Sequence, residues 1–220
     1  MYDNAGEHFL PGQDTTASPV TRHLIESRAL FFLFDPLQDP RFRRLCAGKV
    51  QDPQVDAMAR TNRQVALLQE AEARIRRLAG LRQSEKYDRE LIVVVTKYDA
   101  WRFLSDFKEL RPSWVRGADE NWCGLDVNYI EQVSGSVREL LNRHCPEIVA
   151  SAEGFSDKVV YVPVSATGVS PEVDERSGML GVRPEKVRPM WVEVPVLYSL
   201  YRWSSGLVPH WDGKAAEPKR

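Results

Sequence analysis

Three runs along the chain are apolar almost without a break: ALFFLF at 29–34, LIVVV at 91–95 and VVYVPV at 159–164. A strand with one wet face alternates apolar and polar residues, so unbroken runs predict a sheet covered on both faces. Between the first two runs the spacing predicts a helix. Asp52 is placed to cap it, Pro53 suits its first turn, and Gly80 suits its exit. Met58, Val65, Leu68, Ile75 and Leu78 recur on one side of it. Between the second and third runs Val127, Ile130, Val133, Val137 and Leu140 predict another helix, with Pro146 beyond its end. WVEVPVLYSLYRW, 191–203, reads as a closing helix with Pro195 near its start. Strand, helix, strand, helix, strand, helix is the order of a parallel α/β sheet with right-handed crossovers.

The remaining segments fit around that frame. Residues 101–125 form an insertion after the second strand and carry Trp101, Trp114 and Trp122. Burial against the core is the commoner use of such tryptophans, and a partner surface is the other. Residues 168–189 are rich in Gly, Pro, Ser and charge and are expected to be a mobile loop. Residues 1–205 are read as one domain and 206–220 as a disordered tail.

Composition narrows the class. The chain has 220 residues, enough for one sizeable core, with 43% apolar and 28% charged residues. Its 30 basic and 31 acidic residues give a formal net charge of −1, which makes no case for nucleic acid or an anionic membrane as main partner. Cys46, Cys123 and Cys145 are scattered and suggest neither a disulfide framework nor a zinc site. No apolar run is long enough to span a bilayer, so no transmembrane segment and a cytoplasmic location are expected. His23, His144 and His210 have no partners at metal or catalytic spacing. The arginines of the long helix, Arg60 to Arg77, read as a solvated face.

In an open α/β sheet ligands bind beyond the carboxyl ends of the strands. The second run exits into Thr96, Lys97, Tyr98 and Asp99, and the third into Ser165, Ala166 and Thr167. A third turn, Asp3-Asn4-Ala5-Gly6-Glu7, follows only Met1 and Tyr2. A fixed carboxylate such as Asp99 can accept two parallel N–H bonds from a base with an amide-type donor pair, as guanine has. On an extended backbone Lys97 shares a face with Asp99, and its stem can lie over the base. Ala166 can offer a backbone N–H at close approach. Asp3 is a hard oxygen donor suited to Mg²⁺, and Gly6 lets a backbone N–H approach a phosphate. The plainer alternatives are a helix cap for Asp99, a small turn at Ser165, and a disordered N-terminus for Asp3 and Gly6.

DNAG, TKYD and SAT, in that order and each after a strand, resemble the third, fourth and fifth signature motifs of the GTPase G domain: DxxG, [NT]KxD and SA[KL]. The phrases FFLFDPLQDPRFR and PMWVEVPVLYSLYRW also resemble a bacterial group of paired ("double") GTPases. The resemblance implies a partial G domain with a three-layer parallel sheet of the P-loop NTPase kind. It implies GTP or GDP with Mg²⁺ as ligands. Asp3 then contacts the magnesium shell and Gly6 the terminal phosphate. Thr96, Lys97 and Asp99 read and cover guanine, and Ser165, Ala166 and Thr167 form the loop at its oxygen. The family's water-orienting position falls to Glu7 or His8, where many members have Gln or His.

The departures from the family are as informative. No G-x-x-x-x-G-K-[ST] phosphate loop is present; the nearest stretch, Ala47-Gly48-Lys49-Val50, lacks the leading Gly and the Ser/Thr. The expectation is the base-reading half of a G domain, completed by an upstream P-loop segment or a partner GTPase-like protein. The P-loop strand of the family lies beside the ALFFLF strand, so that edge is expected to be open and the chain alone marginally stable. The competing reading is a degenerate, non-catalytic G-like interaction module.

Overall fold

The computed structural model describes residues 19–50, 52, 55, 64–117, 122–173 and 178–211. In chain order these form α1 (Pro19–Glu26), β1 (Ala29–Phe34), α2 (Pro40–Cys46), α3 (Gln64–Ala79), β2 (Glu90–Val95) and α4 (Tyr98–Trp101). There follow β3 (Trp114–Arg116), β4 (Cys123–Leu125), α5 (Val127–His144), α6 (Pro146–Phe155) and β5 (Val159–Pro163). A short hairpin, β6 (Glu172–Val173) and β7 (Leu180–Gly181), precedes α7 (Val194–Trp203).

β1, β2 and β5 form a parallel sheet in that order, with Ala29 opposite Glu90 and Leu91 opposite Val159. The protein is thus a mixed α/β fold with flanking helices. The central strand is buried along its whole length, which is why ELIVVV carries no alternation. Each of its aliphatic side chains removed from water stabilises the fold by about 1.5–3 kcal/mol. Glu90 opens the strand at 9% exposure, and Arg202 of α7 meets its carboxylate at 3.0 Å.

The two outer strands differ. At β5 the Tyr161 N–H donates to the hydroxyl of Ser134 at 2.8 Å, so α5 covers that side. β1 has no partner on its outer side among the described residues, and Leu33 is 66% exposed. The apolar run at 29–34 therefore does not mark a strand covered on both faces, as the pattern predicts. It marks an edge strand whose side chains are mostly half-buried.

The helices follow their patterns with some shifts. Asp126 caps α5 by accepting the Tyr129 N–H at 3.0 Å. Val127, Ile130, Val133, Val137 and Leu140 are all buried, as their spacing predicts. Pro146 does not merely follow that helix; it begins α6, at the position where its missing N–H costs nothing. In α3, Leu68 and Ile75 face inward, but Leu78 is 39% exposed because the last turn passes beyond the core. Gly80 closes α3 with a positive φ of 66°, and Leu81 N–H donates to Arg76 O at 2.9 Å. Pro53 and Met58 lie outside the described residues.

The insertion at 101–125 is anchored at one end and paired at the other. Trp101 is fully buried, edge-on to Phe42 and Tyr98, while Trp114 is 38% exposed. β3 and β4 pair antiparallel, and Leu125 also exchanges hydrogen bonds with Pro209 O and Trp211 N–H at 2.8 and 2.9 Å. Residues 206–211, expected to belong to a disordered tail, are thus ordered against β4; 212–220 lie outside the described residues. Among the described residues no helix is long and apolar enough to cross a membrane.

Candidate functional site

The three parallel strands end at one side of the sheet, and their exits bring Asp35, Lys97, Asp99 and Ser165 together. β2 leaves the core through Thr96. Its N–H and hydroxyl both donate to Phe34 O, at 2.9 and 3.3 Å. Lys97 then adopts a left-handed conformation, φ 57° and ψ 39°, and turns the chain into α4. Tyr98 N–H donates to Val164 O at 3.0 Å, and Tyr98 and Trp101 are fully buried. The Tyr98 hydroxyl donates to Phe107 O, and burial pushes its pKa up to about 12. With Tyr98 and Trp101 inward, Asp99 between them is left half-buried, beside the exit of β5.

This turn corrects one expectation. Lys97 and Asp99 do not share the face of an extended strand, because the left-handed residue breaks the alternation. The Lys97 ammonium instead pairs with Asp35 Oδ2 at 2.7 Å. Asp35 is fixed in turn: its Oδ1 accepts Leu37 N–H at 3.0 Å, and Gln64 brackets its main-chain N–H and C=O at 2.8 Å each. Sequence reasoning passed over Asp35. Its signal was of the same kind as that of Asp99: a carboxylate at the exit of an apolar run, here directly after Phe34.

Both oxygens of Asp99 are engaged. Ser165 Oγ donates to Oδ1 at 2.5 Å, and Ser170 Oγ to Oδ2 at 3.4 Å. Asp99 lies in the first turn of α4 but does not cap it; Lys97 holds the cap position, without a side-chain hydrogen bond. The Ser165 hydroxyl also accepts Gly168 N–H at 2.8 Å, and its backbone pairs with Met190 in both directions, at 3.0 and 2.8 Å. Thr167 Oγ1 donates to Val169 O at 2.7 Å, and Ala166 beside it is exposed.

A cavity of about 260 Å³ opens here, lined by Val50, Asp99, Arg102 and the 168–172 loop. Its volume is just below the usual ~300–1,000 Å³ of small-molecule sites, room for a planar ring system rather than a whole nucleotide. A larger cleft of about 450 Å³ adjoins it through Arg102, with Arg111, Trp114, Met190 and Trp191 on its walls. Of the residues singled out from sequence, Asp99 and Ser165 are brought into direct contact and Thr167 lies in the same loop. Thr96 and Lys97 are turned to β1 and its exit. Asp3, Gly6, Glu7 and His8 lie outside the described residues. Among the described residues no group of three His, Cys, Asp or Glu side chains is placed to hold a metal ion. No family model, curated protein or solved structure matches the chain.

Proposed function

We infer that the chain is the base-reading half of a GTPase G domain, with GTP or GDP and Mg²⁺ as its ligands. The observation that carries this reading is Asp99: a carboxylate at the exit of the central strand, oriented by Ser165 and facing a cavity of base size. A bidentate contact between such a carboxylate and the donor pair of guanine is worth about 1–3 kcal/mol against a base lacking those donors. Asp3, Gly6 and Glu7 or His8 are proposed, on the motif resemblance alone, for the magnesium shell, the terminal phosphate and the attacking water. Catalysis in this class is positioning and charge stabilisation. Hydrolysis is therefore proposed only for a form completed by an upstream P-loop segment or a GTPase-like partner.

A second reading, a non-catalytic interaction module, has its own support. Lys97 is paired with Asp35, and Asp99 is satisfied by two serines, so these groups hold each other without a ligand. Titration of the chain with GDP, GTP and ATP, read by NMR, separates the two. The base-reading half prefers GDP and GTP to ATP, is nearly indifferent to the terminal phosphate, and loses its preference in Asp99→Ala. Equal or absent response to all three nucleotides favours the interaction module.

A further inference from the structure

Arg102 follows Asp99 by three residues, so the two side chains lie on the same side of one helical turn. Both line the 260 Å³ cavity. Arg102 is exposed, and its guanidinium makes no hydrogen bond or ion pair among the described residues, whereas those of Arg41, Arg74, Arg76, Arg111, Arg138 and Arg202 all do. The carboxylates that line this cavity with it are already committed. Asp99 is held by Ser165 and Ser170, and Glu172 pairs with Lys186 at 2.7 Å. The cavity therefore presents a fork of donors beside a fixed pair of acceptors. On the other side, Thr96 cannot serve the acceptor edge of a base, because its hydroxyl is given to Phe34 O.

We propose that Arg102 is a second specificity-determining residue of this cavity, donating its guanidinium N–H groups to the O6 and N7 acceptors of a purine whose N1 and N2 donors are taken by Asp99. The proposal rests on the base-reading function given above. Its chemistry is that of arginine paired with guanine, two donors against two acceptors. It makes the site read both edges of the base with two side chains from one turn.

Base analogues separate the two contacts. GDP is compared with 7-deaza-GDP, which lacks the N7 acceptor, and with inosine diphosphate, which lacks the N2 amine. The wild-type chain is expected to bind each analogue more weakly than GDP, by about tenfold for a lost bond to a charged group. In Arg102→Ala the 7-deaza penalty disappears while the inosine penalty remains. In Asp99→Ala the inosine penalty disappears while the 7-deaza penalty remains. Arg102→Lys, with a single donor centre, retains part of the 7-deaza penalty. Arg102 is exposed, so its variants fold as the wild type does, checked by their melting curves. A 7-deaza penalty unchanged in Arg102→Ala overturns this proposal and leaves the base-reading function standing. No guanine preference in the wild type, or none lost in Asp99→Ala, overturns both.

Discussion

Gly168 offers the sharpest test of how the candidate site is held. It sits at φ +72°, and a Cβ built there would lie 1.8 Å from Arg188 O and 2.7 Å from the carbonyl carbon. Both obstacles are backbone, so no side chain can swing aside. That backbone is tied across the loop by Arg188 N–H to Thr167 O at 2.8 Å and by the two bonds between Ser165 and Met190. Gly80 is the matched control: its φ is +66°, with nothing within 4 Å of an added Cβ. Gly80→Ala therefore carries only the left-handed strain, about 1 kcal/mol. Gly168→Ala carries the same strain and must also part the two segments, losing one or two hydrogen bonds at about 1 kcal/mol each. The expected total is about 2–3 kcal/mol. For a chain of this size that corresponds to melting shifts of about 2–4 °C for Gly80→Ala and about 4–12 °C for Gly168→Ala. Thermal melts followed by circular dichroism, at equal protein concentration, measure both. Equal shifts for the two variants would refute the claim that close backbone approach, and not φ alone, requires glycine at 168.

The other predictions concern charge and the open edge. Two N–H groups of Arg138 bind the Glu153 carboxylate at 2.5 and 2.8 Å and hold its pKa below the usual 4.5. Because the folded value lies below the unfolded one, this stabilisation is complete above about pH 4.5 and is lost as pH falls through the folded value. Glu153→Gln should flatten the fall in urea midpoint between pH 5 and pH 3, and a slope equal to wild type would sink the argument. Leu33, 66% exposed on β1, should tolerate lysine within about 0.5 kcal/mol while concentration-dependent association falls in light scattering. A wild-type chain that stays monomeric at every concentration removes the case for an aggregation-prone edge.

How much of this was legible depended on which physical constraint each residue answers to. LIVVV and the 127–140 stripe answer to burial alone, and burial writes itself into composition and period. The edge character of β1 does not, because ALFFLF is as apolar as the central strand; what differs is the neighbour it lacks among the described residues. Pro146 was ambiguous in principle, since proline both follows one helix and opens the next. Asp99 and Ser165 could be placed at adjoining strand exits, but their hydrogen bond depends on how β2 and β5 end side by side. Lys97 shows the limit most clearly. Its direction is set by one positive φ, and no pattern of apolar and polar residues encodes that.

The sheet order also says something about how the chain must assemble. Neighbours in the sheet, Ala29 with Glu90 and Leu91 with Val159, lie more than sixty residues apart in the chain. Long loops must close before any pairing rewards them, so the sheet is the slow part of folding. The α5 and α6 pair, joined through Cys145 alone, can form from local contacts far sooner. During synthesis β2 leaves the ribosome with β1 already available but with its other edge bare until residues 159–163 follow. The most deeply buried strand is thus half-paired for the time it takes to make residues 96–158, and in that interval the nascent chain is most in need of a chaperone.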